Sequence, residues 1–323
     1  MSDQRPTEPL LRARDARIAV DDVVAMDRLT FDAPGDRVLL AGEVSELVAV
    51  LTGVPLAARA RRDVSEELPG EARVVGGSLF VAGRSVGSHL AASGDAKGRS
   101  IAGAGVVCGT APLDPPLPAD WTAEDYVAWS ARLSGASARA ARELAGPALA
   151  RVGLGALRRR PLGALAIPER RALLLAHAIV TSPEVLIAEA PLSGLEGSAF
   201  DFVLAAVAAA TEGRRAILSG ARLDPGAPES VLARGASYVV VLLAGEVALE
   251  GKPSELFSAA TIFGLTIRSN AEPFRAELAS RGIALRGGPR RFSAALPEGA
   301  TSTDILAAAR ASGAALVELV PLV

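Results

Sequence analysis

The sequence is poor in the residues that build disulfides and histidine–cysteine metal sites. Among 323 residues it has one cysteine, Cys108, and two histidines, His89 and His177. One thiol cannot form an intrachain disulfide, so the chain has no disulfide framework and a reducing compartment is expected. These three side chains also argue against a His/Cys metal site, and we predict no metal site. Cys108 lies in an apolar stretch and is predicted to be a buried thiol rather than a nucleophile.

Long apolar runs and a charge excess of one sign are absent as well. Half of the residues are apolar, but no run approaches the roughly 18 residues of a membrane-spanning helix. With 34 basic and 36 acidic residues the net charge is −2, which gives no electrostatic case for nucleic acid or an anionic membrane surface. Residues 1–17 are polar and do not resemble a signal peptide. We expect a cytoplasmic protein with a sizeable core.

What is present is a pattern of short strands and amphipathic helices. The stretch at 17–26 predicts a strand, and RVLLAG at Arg37–Gly42 predicts an apolar strand that runs into a short helix. After a Pro-rich loop at 110–121, Thr122 and Ser137 are candidate N-caps of two helices. Strands then alternate with helices as far as a hairpin at Gly245. This alternation favours an α/β fold with a parallel sheet covered on both faces.

The pattern changes near residues 257–260. From there the order is strand, helix, strand, strand, helix, strand, which is the ferredoxin-like unit. We therefore predict a flexible N-terminus at 1–15, a main domain at 16–257 and a small C-terminal ferredoxin-like α+β domain at 260–323.

Several stretches, in their order along nearly the whole chain, resemble the ATP-binding subunit of an ABC transporter of the bacterial exporter type. PLPADWTAEDYVAWSARLSG is similar to the entry of that family's helical subdomain. LGALAIPERRALLLAHAIVTSPEVLIAEAPLSGLE is similar to its signature helix, Walker B strand and D-loop, and RRAILSGARLD to its switch segment. The resemblance implies a P-loop NTPase-like nucleotide-binding domain with a β subdomain, a parallel core sheet and a helical subdomain at about 111–167.

The phosphate loop of that family is altered here. Its pattern G-x-x-x-x-G-K-[ST] supplies backbone N–H groups, a lysine and a Mg²⁺-binding hydroxyl. In this sequence Gly42, Glu43 and Ser45 stand at the matching place, in a connection about four residues shorter than the pattern implies. No lysine lies between Arg37 and Gly53. A carboxylate here would repel a triphosphate, so we predict that the phosphate cradle is degenerate.

The catalytic positions are altered too. The family's Walker B strand ends in an aspartate that holds Mg²⁺ and a glutamate that orients water; the matching residues are Glu189 and Ala190. Ala221 matches the switch histidine that contacts the γ-phosphate. A methyl group cannot polarise water or contact phosphate, so no intact catalytic residue is predicted.

The signature motif LSGGQ, which reaches a partner's γ-phosphate, is replaced. The residues at its five positions are Leu165, Ala166, Ile167, Pro168 and Glu169. Ile167 is bulky where a backbone should approach, and Pro168 has no N–H to donate. Proline does suit the first turn of a helix, so the helix is expected to persist without the anion site.

The D-loop matches best. Its residues are Ser193, Gly194, Leu195 and Glu196. In the family this turn lies at the interface between two cassettes, so the resemblance implies a dimer interface here.

The leading interpretation is a degenerate ATP-binding-cassette subunit of a membrane export or motility-type ABC complex, without hydrolysis and without ATP or Mg²⁺ as cofactor. It would lie on the inner face of the membrane beside a permease subunit and a second ABC ATPase, either a paralogue or a second copy. Trp121 and Trp129 would pack the helical subdomain or help form the groove for the permease. Two alternatives stay open: an active ABC ATPase with deviant motifs, which would bind ATP and Mg²⁺, and a stand-alone scaffold that uses the ABC fold.

Overall fold

The computed structural model describes residues 8–54, 70–86, 108–221, 223, 230–243, 245–256, 262–287, 290–297 and 299–321. In these ranges the strands are β1 (Leu11–Val20), β2 (Val23–Ala33), β3 (Arg37–Gly42), β4 (Ala72–Val81), β5 (Arg84–Val86), β6 (Cys108–Ala111), β7 (Val185–Ala188), β8 (Arg215–Gly220), β9 (Tyr238–Leu243), β10 (Glu246–Gly251), β11 (Ile262–Ile267), β12 (Ala284–Gly287), β13 (Arg291–Ala295) and β14 (Leu316–Pro321). The α-helices are α1 (Ser45–Thr52), α2 (Ala123–Leu133), α3 (Ala138–Arg151), α4 (Ile167–Ile179), α5 (Gly197–Thr211), α6 (Ser230–Arg234), α7 (Pro253–Leu256), α8 (Ala271–Ser280) and α9 (Ser302–Ser312).

A six-stranded sheet forms the centre of the main domain. Its strand order is β10-β9-β3-β8-β7-β6, in which β9, β3, β8, β7 and β6 are parallel and β10 is antiparallel to β9. The carboxyl ends of the parallel strands therefore meet at one edge. In open α/β sheets this edge is where ligands bind.

Side chains alternate between the two faces of this sheet and pack into two separate hydrophobic cores. On β3, Leu39 and Ala41 pack into the core shared with α2 to α5. Val38 and Leu40 pack into the core shared with α1 and with the second, antiparallel sheet β2-β1-β4-β5. Burial on both faces explains the continuous apolar run of β3.

The C-terminal segment forms a separate sheet covered by helices, with its own hydrophobic core. Its antiparallel sheet has the order β12-β13-β11-β14, and α8 and α9 cover one face through residues such as Phe274 and Ile305. The predicted ferredoxin-like order of elements is confirmed.

The N-terminal boundary was predicted wrongly. Strand β1 begins at Leu11, within the segment 1–15 that was predicted to be flexible, because Leu11 pairs with Ala33 and is buried. The predicted single strand at 17–26 is the end of β1 and the start of β2, separated by a turn in which Asp21 has φ +54°. The stretch 88–105 is rich in glycine, alanine and serine, from which a loop is predicted, and it lies outside the described residues. In the parts of the chain that the structure describes, no helix is long and apolar enough to cross a membrane.

Candidate functional site

Three of the altered motifs follow the carboxyl ends of neighbouring strands. Glu43 comes after β3, Ala221 after β8, and Glu189 with Ala190 after β7. The fold thus places them along the edge at which a nucleotide would bind in a sheet of this kind.

The connection from β3 to α1 is only two residues long, Glu43 and Val44. Gly42 has φ +85°, and a Cβ atom there would lie 2.2 Å from the backbone oxygen of Leu242, so the turn requires glycine. The N–H of Glu43 donates to Leu242 O over 2.9 Å, and the N–H of Val44 donates to Gly42 O over 3.0 Å. The N–H groups of both residues of the connection are therefore used within the protein.

The carboxylate of Glu43 contacts the C-terminal domain. Arg291 Nη1 on β13 donates to Glu43 Oε1 over 2.9 Å. The pair joins residues far apart in the sequence and places a cation beside the turn. No sequence signal pointed to this contact.

Glu189 is buried and directed toward the segment that follows β6. Its Oε2 accepts from the N–H of Leu113 over 2.9 Å, and its own N–H donates to Ala111 O over 2.9 Å. The next residue, Ala190, has φ +36°, a strained value for an alanine, and its N–H donates to Ser219 Oγ over 2.9 Å. Ala221 is exposed beyond β8.

A buried arginine that was not predicted from the sequence links the chain segments on either side of Glu189. Arg171 on α4 is 8% exposed and makes a two-pronged ion pair with Asp114, through Nε at 3.3 Å and Nη2 at 3.1 Å. Its Nη1 donates to Pro191 O over 3.1 Å and to Ser193 O over 2.5 Å. The signal was a charged residue inside the apolar helix RALLLAHAIV, because a buried arginine needs partners.

The space beside these groups is small. Arg171, Leu113, Glu189 and Pro191 line a cavity of only about 10 Å³. Pockets for small ligands and cofactors are typically about 300–1,000 Å³.

The signature positions form the N-terminal end of α4. Leu165 is buried and Ile167 is exposed, while Glu169 Oε2 accepts from the N–H of Ala166 over 2.8 Å. Arg160 lies 3.6 Å from the other oxygen of Glu169. The end of the helix is thus capped by the chain's own carboxylate, and Pro168 contributes no donor.

The D-loop residues form the turn that leads into α5. Leu195 is buried, Gly194 has φ +66°, and Glu196 is exposed and precedes the helix. Ser193 is held through its carbonyl oxygen by Arg171. The exposed surface of the turn is therefore small and polar.

An aromatic cluster lies on the helical subdomain. Tyr126 stacks on His177 with ring centroids 5.0 Å apart, and Trp129 lies 6.2 Å from Tyr126 and 6.0 Å from Trp121. Both tryptophans are partly exposed. Burial lowers the pKa of His177 to about 4, and His177 Nδ1 has no hydrogen-bond partner.

The predicted buried thiol lies at the start of β6. Burial, with the nearby Glu184 carboxylate, raises the pKa of Cys108 to about 11. A thiol with such a pKa is a poor nucleophile at neutral pH.

Two features of these residues argue against a Mg²⁺–triphosphate. The N–H groups of Glu43 and Val44 donate within the protein, and Ala190 has no group that could orient water. Across the described ranges, no three His, Cys, Asp or Glu side chains come together in a way that could hold a metal ion.

One known protein resembles part of this chain in sequence, and several solved structures resemble it in fold. No protein-family model matches the chain. The nickel import ATP-binding protein NikO of Rhodobacter capsulatus is 36% identical over 115 residues, which cover 34% of this chain and 43% of that protein. The match thus spans less than half the length of this curated relative.

The solved structures agree over a larger part of the chain. CbiO1 from Clostridium perfringens, part of the ABC transporter complex cbiONQ, has a TM-score of 0.58 at 16% identity and covers 78% of this chain and 91% of its own. The chain has the fold of an ABC transporter ATP-binding subunit. An ATP-binding cassette of an ABC transporter in its ADP conformation matches this ABC fold with a TM-score of 0.56 at 15% identity, over 77% of this chain and 93% of that one. The predicted resemblance and fold class are confirmed.

Proposed function

We propose that this chain is a non-hydrolysing ABC subunit that acts as a structural or regulatory partner of an active ATP-binding-cassette subunit and a membrane permease. The observation that carries the proposal is the two-residue connection of Glu43 and Val44 between β3 and α1. A phosphate cradle needs a longer loop with free N–H groups, and this turn uses its N–H groups on Leu242 O and Gly42 O.

The side chains around the turn support the same proposal. Ala190 and Ala221 offer only methyl groups where the ABC fold usually carries a glutamate and a histidine. Glu189 accepts a hydrogen bond from Leu113 N–H, so its carboxylate is already engaged with the protein. The chain therefore keeps the sheet and helices of a cassette without the groups that turn over ATP.

The proposed partners follow from the fold and from the relatives. NikO is a nickel import ATP-binding protein, and CbiO1 is part of the ABC transporter complex cbiONQ. We propose a similar setting for this chain, on the inner face of the membrane beneath a permease, with the D-loop turn at 193–196 against a second cassette that is either a paralogue or a second copy. The direction of transport and the substrate would be set by the permease.

Nucleotide titration of the purified chain tests the proposal. Mg-ATP and Mg-ADP should give no saturable heat in calorimetry, no shift of the melting temperature and no phosphate release, with an intact cassette subunit as positive control. A ligand at ten times its dissociation constant stabilises the folded state by about 1.4 kcal/mol, which would raise the melting temperature by roughly 3–5 °C. A shift of that size, or turnover by the wild-type chain, would establish the active-ATPase alternative instead.

Isolation of the native complex separates the proposal from the stand-alone scaffold. If the proposal holds, the tagged chain extracted with mild detergent carries an integral membrane subunit together with a cassette that has an intact phosphate loop. Purification as a species without any membrane subunit would favour the scaffold.

A further inference from the structure

The C-terminal sheet is seated on the edge of the central sheet. Ser293 Oγ on β13 donates to Ala248 O on β10 over 2.8 Å, and Arg291, two residues earlier, donates to Glu43. Ile262 at the start of β11 belongs to the core of the main domain. Among the described residues, the contacts between the two domains thus include a buried polar contact, an ion pair and apolar packing.

The face that makes this contact is the one opposite α8 and α9. Leu265 and Phe292 pair across β11 and β13 and point into the C-terminal core. Because side chains alternate along a strand, Arg291 and Ser293 point to the other side. Ser293 is nevertheless only 4% exposed. The burial of Ser293 therefore results from the packing of the C-terminal sheet against β10.

The ion pair of this contact lies at the carboxyl end of β3. Glu43 stands directly after β3, where nucleotide-binding relatives hold phosphate, and an arginine fork recognises carboxylate and phosphate oxygens alike. The side chains of Arg291 and Glu43 are 33% and 54% exposed. Ion pairs this exposed shift an equilibrium only by roughly two- to fivefold and are weakened by salt.

We propose that the Glu43–Arg291 ion pair is a weak latch that holds the C-terminal sheet against β10 and the β3–α1 turn, so that removing either charge or raising the salt concentration releases this sheet. The latch ties the position of the C-terminal domain to the charge at the turn. The proposal does not depend on whether the chain binds nucleotide.

A thiol at position 293 measures the opening. The parent protein carries Cys108→Ala and Ser293→Cys, and the readout is the rate at which a soluble disulfide reagent labels the thiol. Glu43→Gln and Arg291→Gln each remove one charge, and the pair Glu43→Arg with Arg291→Glu restores the attraction with the charges exchanged. Glu46→Gln and Arg290→Gln are the neighbouring controls, and Ser280→Cys in the Cys108→Ala background gives the rate of an exposed thiol.

If the latch exists, both single substitutions raise the labelling rate by roughly two- to fivefold. The charge exchange should return the labelling rate to that of the parent protein. The two control substitutions should leave the labelling rate unchanged. Raising salt from about 0.05 to 1 M should speed labelling of the parent but not of Glu43→Gln, since screening acts on the pair. The proposal is overturned if only one or neither single substitution matters, if the exchange gives no recovery, or if salt has no effect. It also fails if the parent thiol reacts as fast as the exposed one.

Discussion

At the scale of single residues, two carboxylates of the chain stand where an ABC subunit meets phosphate. Glu43 follows β3 and pairs with Arg291, and Glu169 accepts the N–H of Ala166 at the start of α4. Helix N-termini and turns rich in N–H groups attract anions. At the start of α4 the carboxylate of Glu169 takes the place of such an anion, whereas at the β3–α1 turn Glu43 brings a negative charge that pairs with Arg291.

His177 gives a prediction about pH. Its pKa in the folded protein is about 4, against an ordinary value near 6.5, because it is buried. The unfolded chain therefore takes up a proton before the folded chain does, and stability is lost as the pH falls from about 6.5 to 4. Between about pH 7.5 and 4.5 this residue should cost roughly 2–3 kcal/mol of the free energy of unfolding.

Urea unfolding of wild type and His177→Leu at the two pH values measures the effect. The variant should lose most of the difference, whereas His89→Gln, which alters the other histidine, should keep it. Equal losses of stability in wild type and His177→Leu would show that other groups cause the acid sensitivity.

At the scale of elements, one guanidinium joins three segments around the β7 end. Arg171 links α4 to Asp114 in the loop after β6 and to the carbonyl oxygens of Pro191 and Ser193 in the turn after β7. A single side chain thus holds these segments together, and it fixes the D-loop turn through Ser193 O.

Replacing Arg171 tests how much this link contributes. Arg171→Met should lower the free energy of unfolding by about 3 kcal/mol, because it leaves the Asp114 carboxylate and two backbone oxygens without this donor. Arg171→Lys should recover only part of this, since an ammonium cannot make the two-pronged contact with Asp114. Denaturant unfolding gives the values.

The matched control is Arg139→Met on the exposed face of α3, where the partner of Arg139 among the described residues is Glu143. It should change stability by less than about 0.5 kcal/mol. Similar values for the Arg139 and Arg171 variants would contradict the assigned role of Arg171.

At the scale of the whole molecule, the buried apolar residues that the structure describes form three clusters. Two lie on opposite faces of the central sheet and share its strands, whereas the C-terminal cluster, which includes Phe274 and Phe292, shares none of its buried members with the others. Since cooperativity follows shared packing, the C-terminal domain should unfold as a separate unit.

Phe274→Ala tests this separation. Phe274 is fully buried, so its truncation should cost the C-terminal domain about 3–5 kcal/mol. In scanning calorimetry one transition should move to lower temperature while the transition of the main domain stays in place. Leu306→Ala, at an exposed position on α9, should move neither transition. A common shift of all the unfolding heat would mean that the domains unfold together.

The sequence by itself determined the kinds of elements, their order and the chemistry that is missing. Apolar periodicity and caps are local signals, and the structure confirms Thr122 and Ser137 as N-caps that accept from Asp125 N–H and Ala140 N–H. Altered motif positions are also read directly from the sequence, because no lysine lies between Arg37 and Gly53 and position 190 is an alanine.

The tertiary structure alone decided where β1 begins, what Arg171 holds and where the C-terminal sheet docks. Leu11 joins β1 because it pairs with Ala33, Arg171 meets Asp114 across 57 positions, and Arg291 meets Glu43 across 248. No local pattern encodes such contacts, since each depends on the packing of distant segments that the folded chain brings together.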